Sequence, residues 1–447
     1  MSPPQSLFKT PDGRSHLVPF VLVSSLFLLW GFCNGMIDVM DKHFQDYLHL
    51  TKAQSAWVQF AHYLGYFLMA LPAGLLARRV GYKGGIVTGL LIVAVGGFWF
   101  IPATHIASFW AFLLGVCVIA MGLTILETVA NPYTTVLGPK DYAAARINLA
   151  QSCNGVGWIF GPIVGGAFFY SAGGAEVAQG QLYIPYAAVA VIVLVMAAVF
   201  FFAHLPDLNT EDAYHINEPA APGARRSIWS HPHFVGAVAA QFLYVAAQAG
   251  IFSFFINYMV AEVPAISPGL TNSWFLKGGA ALREGAYYVN EQGASRLLGV
   301  LGFALFLAGR FTGAGILRKA SAHRVLGTYA VVSVLLCLIV VLRLGWVSVA
   351  AVFLSFFFMS IMFPTIFALG IHGLGVQAKK ASAFIVMAIM GGAIMPKLMG
   401  HLGDVYNMSV SFLMPLVCFA GIAVYAFLWT RCSKAEGLRS VATFKGH

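Results

Sequence analysis

Twelve apolar stretches, each long enough to cross a lipid bilayer as a helix, dominate this sequence. Crossing about 30 Å of hydrocarbon takes about 20 residues at about 1.5 Å each. The chain is only 9% charged, whereas soluble proteins carry about 25% charged residues, so it is predicted to be an all-α membrane protein. The predicted spans lie near residues 17–40, 52–76, 84–102, 107–136, 146–171, 183–204, 233–260, 294–317, 323–342, 346–370, 381–402 and 409–430.

The distribution of basic residues predicts the orientation of the chain. Most of the 26 Lys and Arg residues fall in alternate loops, and the excess of basic residues marks the cytosolic loops of membrane proteins. An even number of spans then places both termini in the cytosol. The net charge of +10 thus reflects topology and does not indicate a nucleic-acid partner. The expected parts are a tail at 1–16, a six-helix bundle at 17–204, a cytosolic linker at 205–232, a second six-helix bundle at 233–430 and a tail at 431–447.

Two short patterns recur in the two halves of the chain. The pattern G-x-L-x-[RK] at 74–78 returns at 315–319, and P-x4-L-G at 132–138 returns at 364–370. The two offsets nearly agree, which indicates an internal duplication. Two six-helix bundles related by an axis along the membrane normal form the major facilitator fold. We therefore predict twelve transmembrane helices in two pseudo-symmetric bundles that rock around a central site.

A first carboxyl lies late in the first predicted span. Asp38 follows Asn34 by four residues, so the two side chains share one face of a helix. A charged group at membrane depth costs at least about 2.5 kcal/mol, so it calls for a functional explanation. The alternative is that the span ends early and that Asp38 is a solvated residue outside the membrane.

A second carboxyl lies deep in the fourth predicted span. Glu127 forms a polar stripe of helical period with Thr124, Thr128 and Asn131. No Lys or Arg of this span can neutralise it. Loss of water favours the neutral form of a carboxyl, and a group that gains and loses a proton is what proton symport requires. The alternative is a structural carboxyl, protonated or hydrogen-bonded between helices.

Further polar and aromatic side chains inside the spans are candidates for sugar contact. Amides both donate and accept hydrogen bonds, which suits neighbouring sugar hydroxyls, and an aromatic face can stack on a sugar ring. The alternative for each of them is a hydrogen bond between helices with no role in binding. The candidates are Asn34, Gln59, Asn131, Gln151, Asn154, Trp158, Gln248 and Phe363.

Six segments carry a resemblance to a known family. They are residues 34–38, 59–66, 126–132, 148–154, 309–313 and 363–367. The chain resembles the fucose:proton symporter family, which includes permeases for fucose, glucose, galactose and N-acetylhexosamines. The resemblance implies proton symport across a bacterial inner membrane. It also implies that Asp38 and Glu127 are the two membrane carboxyls, with Asp38 at the sugar site and Glu127 in proton coupling, and that Gln151 is the amide of the fifth span.

Two departures from this family bear on the substrate. Gly35 stands where fucose permeases have a second Asn, and Phe363 stands where they have Tyr. Both changes remove polar groups from the expected pocket, so they favour another hexose, such as glucose or galactose, or an N-acetylhexosamine. The long outer loop at 261–293 either covers the outer mouth or is an insertion without function.

The predicted function is therefore the symport of a monosaccharide and a proton into the cell, by a monomer in the lipid bilayer that uses no cofactor. Sodium coupling and uncoupled facilitation by the same fold are the alternatives. An organic-anion exporter would need basic residues in its central spans, which offer almost none. The six cysteines are scattered and no metal-ligand cluster or nucleophile–base pair is recognisable, so neither a disulfide framework nor an enzyme is expected.

Overall fold

The computed structural model describes residue 8 and residues 15–106, 108–138, 143–170, 183–205, 227–274, 276–317, 320–372, 374 and 378–433. Most of each predicted tail, and most of the predicted linker, lie outside these residues. The described part is nearly all helical, because in lipid only internal hydrogen bonds satisfy the backbone. By its contacts the chain forms two compact units, Met1–Ile37 with Ala61–Ala213, and Asp38–Phe60 with Tyr214–His447.

Long helices form the described part of the first unit. They are α1 (Leu17–Leu48), which continues into the second unit, α3 (Trp57–Ile106), which begins in the second unit, α4 (Phe109–Val136), α5 (Ala143–Phe169) and α6 (Ile184–Phe202). Helix α3 is interrupted at Gly81, whose φ of 69° lies in the left-handed region that glycine adopts without strain. Because of this interruption, α3 supplies parts of two spans.

The second unit has shorter helices and one small sheet. Its described elements are α2 (Lys52–Ser55), a 3₁₀ turn (Ile228–Ser230), α7 (Pro232–Ser253), α8 (Phe255–Glu262), α9 (Pro268–Thr271), β1 (Ala280–Arg283), β2 (Ala286–Val289), α10 (Glu291–Leu297), a π-helical turn (Leu298–Phe303), α11 (Ala304–Leu317), α12 (Ala322–Val341), α13 (Trp346–Met359), α14 (Met362–Ile371), α15 (Ala378–Met387), a 3₁₀ turn (Ala388–Met390), α16 (Gly391–Val405), α17 (Met408–Ser411) and α18 (Leu413–Ser433). Several predicted spans are thus built from two or three consecutive helical pieces.

Eleven helical segments of the described residues are long and apolar enough to cross a membrane. The remaining predicted span, near 146–171, corresponds to α5, which has 27 residues and is therefore also long enough. Its mean hydropathy is lower because it contains several amides and glycines, among them Gln151, Asn154 and Gly157. The helices thus account for each of the twelve predicted spans.

Helices α1 and α5 make a close contact through glycines within the first unit. A Cβ atom added at Gly31 would overlap the carbonyl oxygen of Asn154, and one added at Gly157 would overlap the carbonyl oxygen of Leu28. Gly35 and Gly161 make a second contact of the same kind. Small residues allow helix backbones to approach this closely in membranes. The contact fixes where α5 presents its polar side chains.

The loop at 261–293 contains a two-stranded antiparallel hairpin that the prediction of an all-α chain did not include. Its turn lies at Glu284 and Gly285, with φ values of 49° and 81°. The backbone N–H of Ile266 donates to the carbonyl oxygen of Tyr287 at 2.8 Å, which ties the preceding segment to β2. Asn290 then caps α10 by accepting from the N–H of Gly293 at 2.9 Å. The loop therefore has an ordered core of its own.

Helix α2 is fastened to α16 within the second unit. The carboxylate of Asp404 accepts hydrogen bonds from the backbone N–H groups of Lys52 (3.0 Å) and Ala53 (2.9 Å). The Lys52 ammonium lies 3.5 Å from the same carboxylate. A Cβ at Gly400 would meet the backbone of Lys52 at 2.8 Å. Asp404 thus satisfies two N–H groups that a helix start leaves unpaired.

We expect Asp404→Ala to destabilise the protein by about 1–2 kcal/mol, the range for loss of a helix cap. The thermal midpoint of the purified protein in detergent should fall by a few degrees. Asp46→Asn is the control, because Asp46 forms an exposed ion pair with Lys42, and such pairs contribute about 0–1 kcal/mol. Equal midpoints for the two variants would contradict the capping role of Asp404.

Candidate functional site

Glu127 lies in a group of polar and aromatic side chains from three helices of the first unit. It is half-buried on α4 and interacts electrostatically with Tyr66 of α3. The indole Nε1–H of Trp30, on α1, donates to the Tyr66 hydroxyl at 2.6 Å, and the side chain of Asn34 also bonds to this hydroxyl. The ring of His62 packs against Tyr66 with centroids 4.9 Å apart. These five residues are called the Glu127 cluster.

An amide pair lies one helical turn beyond Glu127. The Nε2 of Gln151, on α5, donates to Oδ1 of Asn131, on α4, at 3.1 Å. Both side chains are half-buried. Each retains hydrogen-bonding capacity after this bond, because a primary amide offers two donors and an acceptor with two lone pairs. The pair can therefore offer both donors and acceptors to a bound hydroxyl compound.

Two other predicted residues of α5 lie in the packing contact between α5 and α1. Asn154 is buried, and its Nδ2 donates to the carbonyl oxygen of Phe27 at 3.3 Å. Trp158 is half-buried, and its backbone lies against Gly31 and Gly35 in the α1–α5 contact. Asn154 thus fastens α5 to α1.

Asp38 lies in the second unit beside another carboxyl. Helix α1 continues to Leu48, so Asp38 lies within the helix and is only 4% exposed. The Nε2 of Gln59 donates to Oδ1 of Asp38 at 3.1 Å and to Oδ2 of Asp41 at 3.2 Å. Asp41 is fully buried. The structure therefore places two buried carboxyls around one amide nitrogen.

The remaining candidates lie on α7 and α14 of the second unit. Phe363 is half-buried and makes an edge contact with Tyr244, with ring centroids 6.1 Å apart. Gln248 is half-buried near the end of α7, which ends at Ser253. Gln241, on the same helix, is fully buried, and neither atom of its amide has a hydrogen-bond partner in the described part of the chain. An amide without partners is available for a bound polar molecule.

Comparison with known proteins gives the family. The model of the Major Facilitator Superfamily matches residues 20–390. The chain belongs to the Major Facilitator Superfamily. It is 35% identical to the L-fucose-proton symporter of Escherichia coli K12 over 434 residues, which are 93% of this chain and 94% of that protein. It is 33% identical to a glucose/galactose transporter of Brucella abortus, covering 95% of this chain and 97% of that one.

A solved structure supports the same assignment for this facilitator. The crystal structure of the E. coli fucose:proton symporter has a TM-score of 0.64 and 33% sequence identity, and the match covers 93% of this chain and 99% of that chain. The expected fold and the resemblance to the fucose:proton symporter family are therefore confirmed. The chain is a multi-pass membrane transporter and not an enzyme.

The facilitator's candidate residues fall into two groups. In the first unit the structure brings Asn34 next to Tyr66 in the Glu127 cluster and Asn131 next to Gln151. In the second unit it brings Asp38 together with Gln59. Trp158 lies in the α1–α5 contact, and Phe363 packs against Tyr244. Each group is thus a local cluster of side chains within one unit.

Sequence reasoning missed two residues of these groups. Tyr66 has a detectable signal, because it follows His62 by four residues and Gln59 by seven, which places all three on one face of a helix. Asp41 follows Asp38 by three residues and so is also its helical neighbour. It was overlooked because it lies beyond the predicted end of the first span at residue 40.

The carboxyls of both groups have no cationic partner among the residues that the structure describes. The ion pairs there join Lys42 to Asp46 and to Glu291, Lys52 to Asp404, and Arg343 to Glu262. None involves Glu127, Asp38 or Asp41. A carboxyl removed from water without a cation is stable only when protonated or well hydrogen-bonded. The carboxyls of both groups therefore depend on hydrogen bonds or on a bound proton for their stability. In the same part of the chain, no group of His, Cys, Asp and Glu could hold a metal ion.

Proposed function

We propose that this facilitator carries a monosaccharide and a proton together into the cell by alternating access. The observation that supports the proposal most is Glu127, a carboxyl in a transporter's membrane span that contacts Tyr66 and has no ion-pair partner among the described residues. A proton on this carboxyl removes the cost of enclosing a charge, so the loaded and the empty protein change conformation more readily than the half-loaded one.

The sugar is proposed to bind through the amide pair of Asn131 and Gln151 and through neighbouring polar groups. Amide pairs suit vicinal hydroxyls. The names of the relatives support this class, since one is an L-fucose-proton symporter and another a glucose/galactose transporter. Gly35 and Phe363, which depart from the fucose permeases, favour glucose, galactose or an N-acetylhexosamine over fucose.

The proposed setting is a bacterial inner membrane with both termini in the cytosol, which the basic residues of the loops support. The two bundles are proposed to comprise residues 17–204 and 233–430, joined by the linker at 205–232. Proton entry from outside then drives sugar inward, because the proton moves down its gradient only together with the sugar. We propose that no cofactor takes part and that the monomer is the transporting unit.

The test is uptake of radiolabelled sugar by proteoliposomes containing the purified protein. Thermal-shift screening against fucose, glucose, galactose and N-acetylhexosamines first selects the sugar. We expect an inward proton gradient to raise the internal sugar concentration above the external one, and expect collapse of the gradient by a protonophore to abolish this accumulation.

Three other results would decide against the proposal. Accumulation that follows an inward sodium gradient and ignores pH would identify a sodium symporter. Equilibration without accumulation in either gradient would identify an uncoupled facilitator. Failure to bind or carry any of these sugars would remove the substrate class. Liposomes without protein, and liposomes with equal pH on both sides, are the controls.

A further inference from the structure

Asp41 is the most unusual group that the proposed function does not use. It is 0% exposed, and Asp38, three residues earlier on α1, is 4% exposed. Their oxygens lie 3.2 Å and 3.1 Å from the same nitrogen, the Nε2 of Gln59. One amide nitrogen has two hydrogens, so it can donate one to each carboxyl. Gln59 therefore holds the two carboxyls as a pair.

The pair has further hydrogen-bonding capacity that the described residues leave unused. Oδ2 of Asp38 and Oδ1 of Asp41 are buried without a hydrogen-bond partner among the described side chains that meet the hydrogen-bond distance. Ser253 ends α7, is fully buried and interacts with Asp41. Two such carboxyl oxygens at one place are uncommon in proteins, and either of them can carry a proton.

The charged groups near the pair do not neutralise it. On α1, the ammonium of Lys42 lies 2.5 Å from Asp46 and 4.0 Å from Glu291. The groups that face Asp41 from α3 and α7 are the neutral side chains of Gln59 and Ser253. Two neighbouring carboxyls without a cation do not both stay ionised. A single bound proton removes the repulsion between two ionised carboxyls.

A polar layer lies one helical turn from the pair, beside a surface cavity within the second unit. Gln45, one turn beyond Asp41 on α1, receives a hydrogen bond from Asn257 at 2.5 Å and donates to Ser55 at 2.8 Å. The cavity beside this layer has a volume of about 280 Å³, and Gln45 and Asn257 are among its lining residues. The cavity therefore comes within about one helical turn of Asp41.

We propose that Asp38 and Asp41 bind one proton between them, with Gln59 holding both carboxyls, so that Asp41 sets the pH range over which the protein carries sugar with protons. The proposal rests on the proposed function. The negative charge of the second carboxyl makes the shared proton harder to remove. Asp41 is thus a positioning residue for the proton, distinct from Glu127, which lies in the other unit.

The test is Asp41→Asn, which keeps the shape of the side chain and removes its charge. Without the second carboxyl, Asp38 loses its proton at lower pH. The alkaline limb of the sugar-uptake profile should therefore move to lower pH by about one unit or more, while exchange of labelled for unlabelled sugar at acidic pH is retained. Glu284→Gln, in the exposed turn of the hairpin, is the control and should keep the wild-type profile. An Asp41→Asn profile that superposes on the wild-type profile would overturn the proposal.

A second measurement needs only folded protein and no transport. A pair that must lose its buried proton at alkaline pH makes the native state less stable as the pH rises. The thermal midpoint of the wild type should fall more between about pH 6 and about pH 9 than that of Asp41→Asn, and Glu284→Gln should follow the wild type. Equal falls in all three proteins would also reject the pair.

The identity of the bound cation is decided in the same assay. Replacing choline chloride by sodium chloride should leave the alkaline midpoint unchanged. If sodium raises the midpoint of the wild type but not of Asp41→Asn, the pair binds sodium and the proposal of a shared proton is wrong. If sugar transport itself is absent, the proposed function fails while the stability measurement still tests the pair.

Discussion

Replacing Glu127 by Gln is expected to abolish the accumulation of sugar against its gradient while sugar exchange continues. Glutamine keeps the size of the side chain but cannot release a proton, so the site behaves as if it were permanently protonated. A protein that stays neutral at this position can change conformation with sugar bound but cannot couple that movement to a proton gradient. The internal to external sugar ratio in proteoliposomes should fall to about one, the value for equilibration.

The matched control for this variant is Glu284→Gln, because Glu284 lies exposed in the hairpin turn. It should accumulate sugar as the wild type does. Continued accumulation by Glu127→Gln would show that Glu127 is a structural carboxyl and would leave the Asp38–Asp41 pair as the site of coupling. Loss of exchange as well as accumulation would instead place Glu127 in sugar binding or in folding, and a thermal midpoint distinguishes these two outcomes.

The other large effect is expected at Gly31, where a single methyl group should unfold or strongly destabilise the protein. A Cβ at this position overlaps the carbonyl oxygen of Asn154. The obstacle is backbone of a second helix, which cannot rotate away as a side chain can. Overpacking of this kind costs about 1–3 kcal/mol, and more when backbones must separate. Gly31→Ala should therefore lower the thermal midpoint by several degrees and reduce the yield of monodisperse protein.

Gly74→Ala provides the comparison for this prediction. Gly74 is also within a helix, and a Cβ there would meet nothing within 4 Å. Replacing a helical glycine by alanine without a clash stabilises by about 0.5–1 kcal/mol, so the two substitutions should have opposite signs. A rise in the midpoint for both variants would mean that α1 and α5 do not approach closely at Gly31.

Much of the fold could be predicted from the sequence, because hydropathy reports directly on which segments lie in lipid. The structure adds detail to the predicted spans where local chemistry overrides hydropathy. The interruption of α3 at Gly81 depends on a backbone conformation that composition does not reveal. The hairpin at 280–289 lies in a loop whose strands are only four residues long, too short for a clear alternating pattern.

The candidate site was less predictable, since it depends on contacts between distant helices. Polar residues in apolar spans were recognisable, and Glu127, Asn131 and Asp38 all lie beside other polar groups in the structure. What each of them contacts was not recognisable. Asn154, predicted to contact sugar, donates to the backbone of Phe27. Asp41 was not predicted because α1 continues past its apolar stretch. In this part of the helix, Asp41 is buried and accepts a hydrogen bond from Gln59.

The polar character of α5 has a consequence for the assignment of the whole second half. A scan that requires high hydropathy recognises eleven segments and omits this helix. With an odd total, every loop after residue 169 would be assigned to the wrong compartment, and the carboxyl terminus would be placed opposite the amino terminus. A fusion reporter attached after α6 distinguishes the topology with eleven spans from the topology with twelve. The same amides that we propose for sugar binding therefore make this helix the hardest one to count.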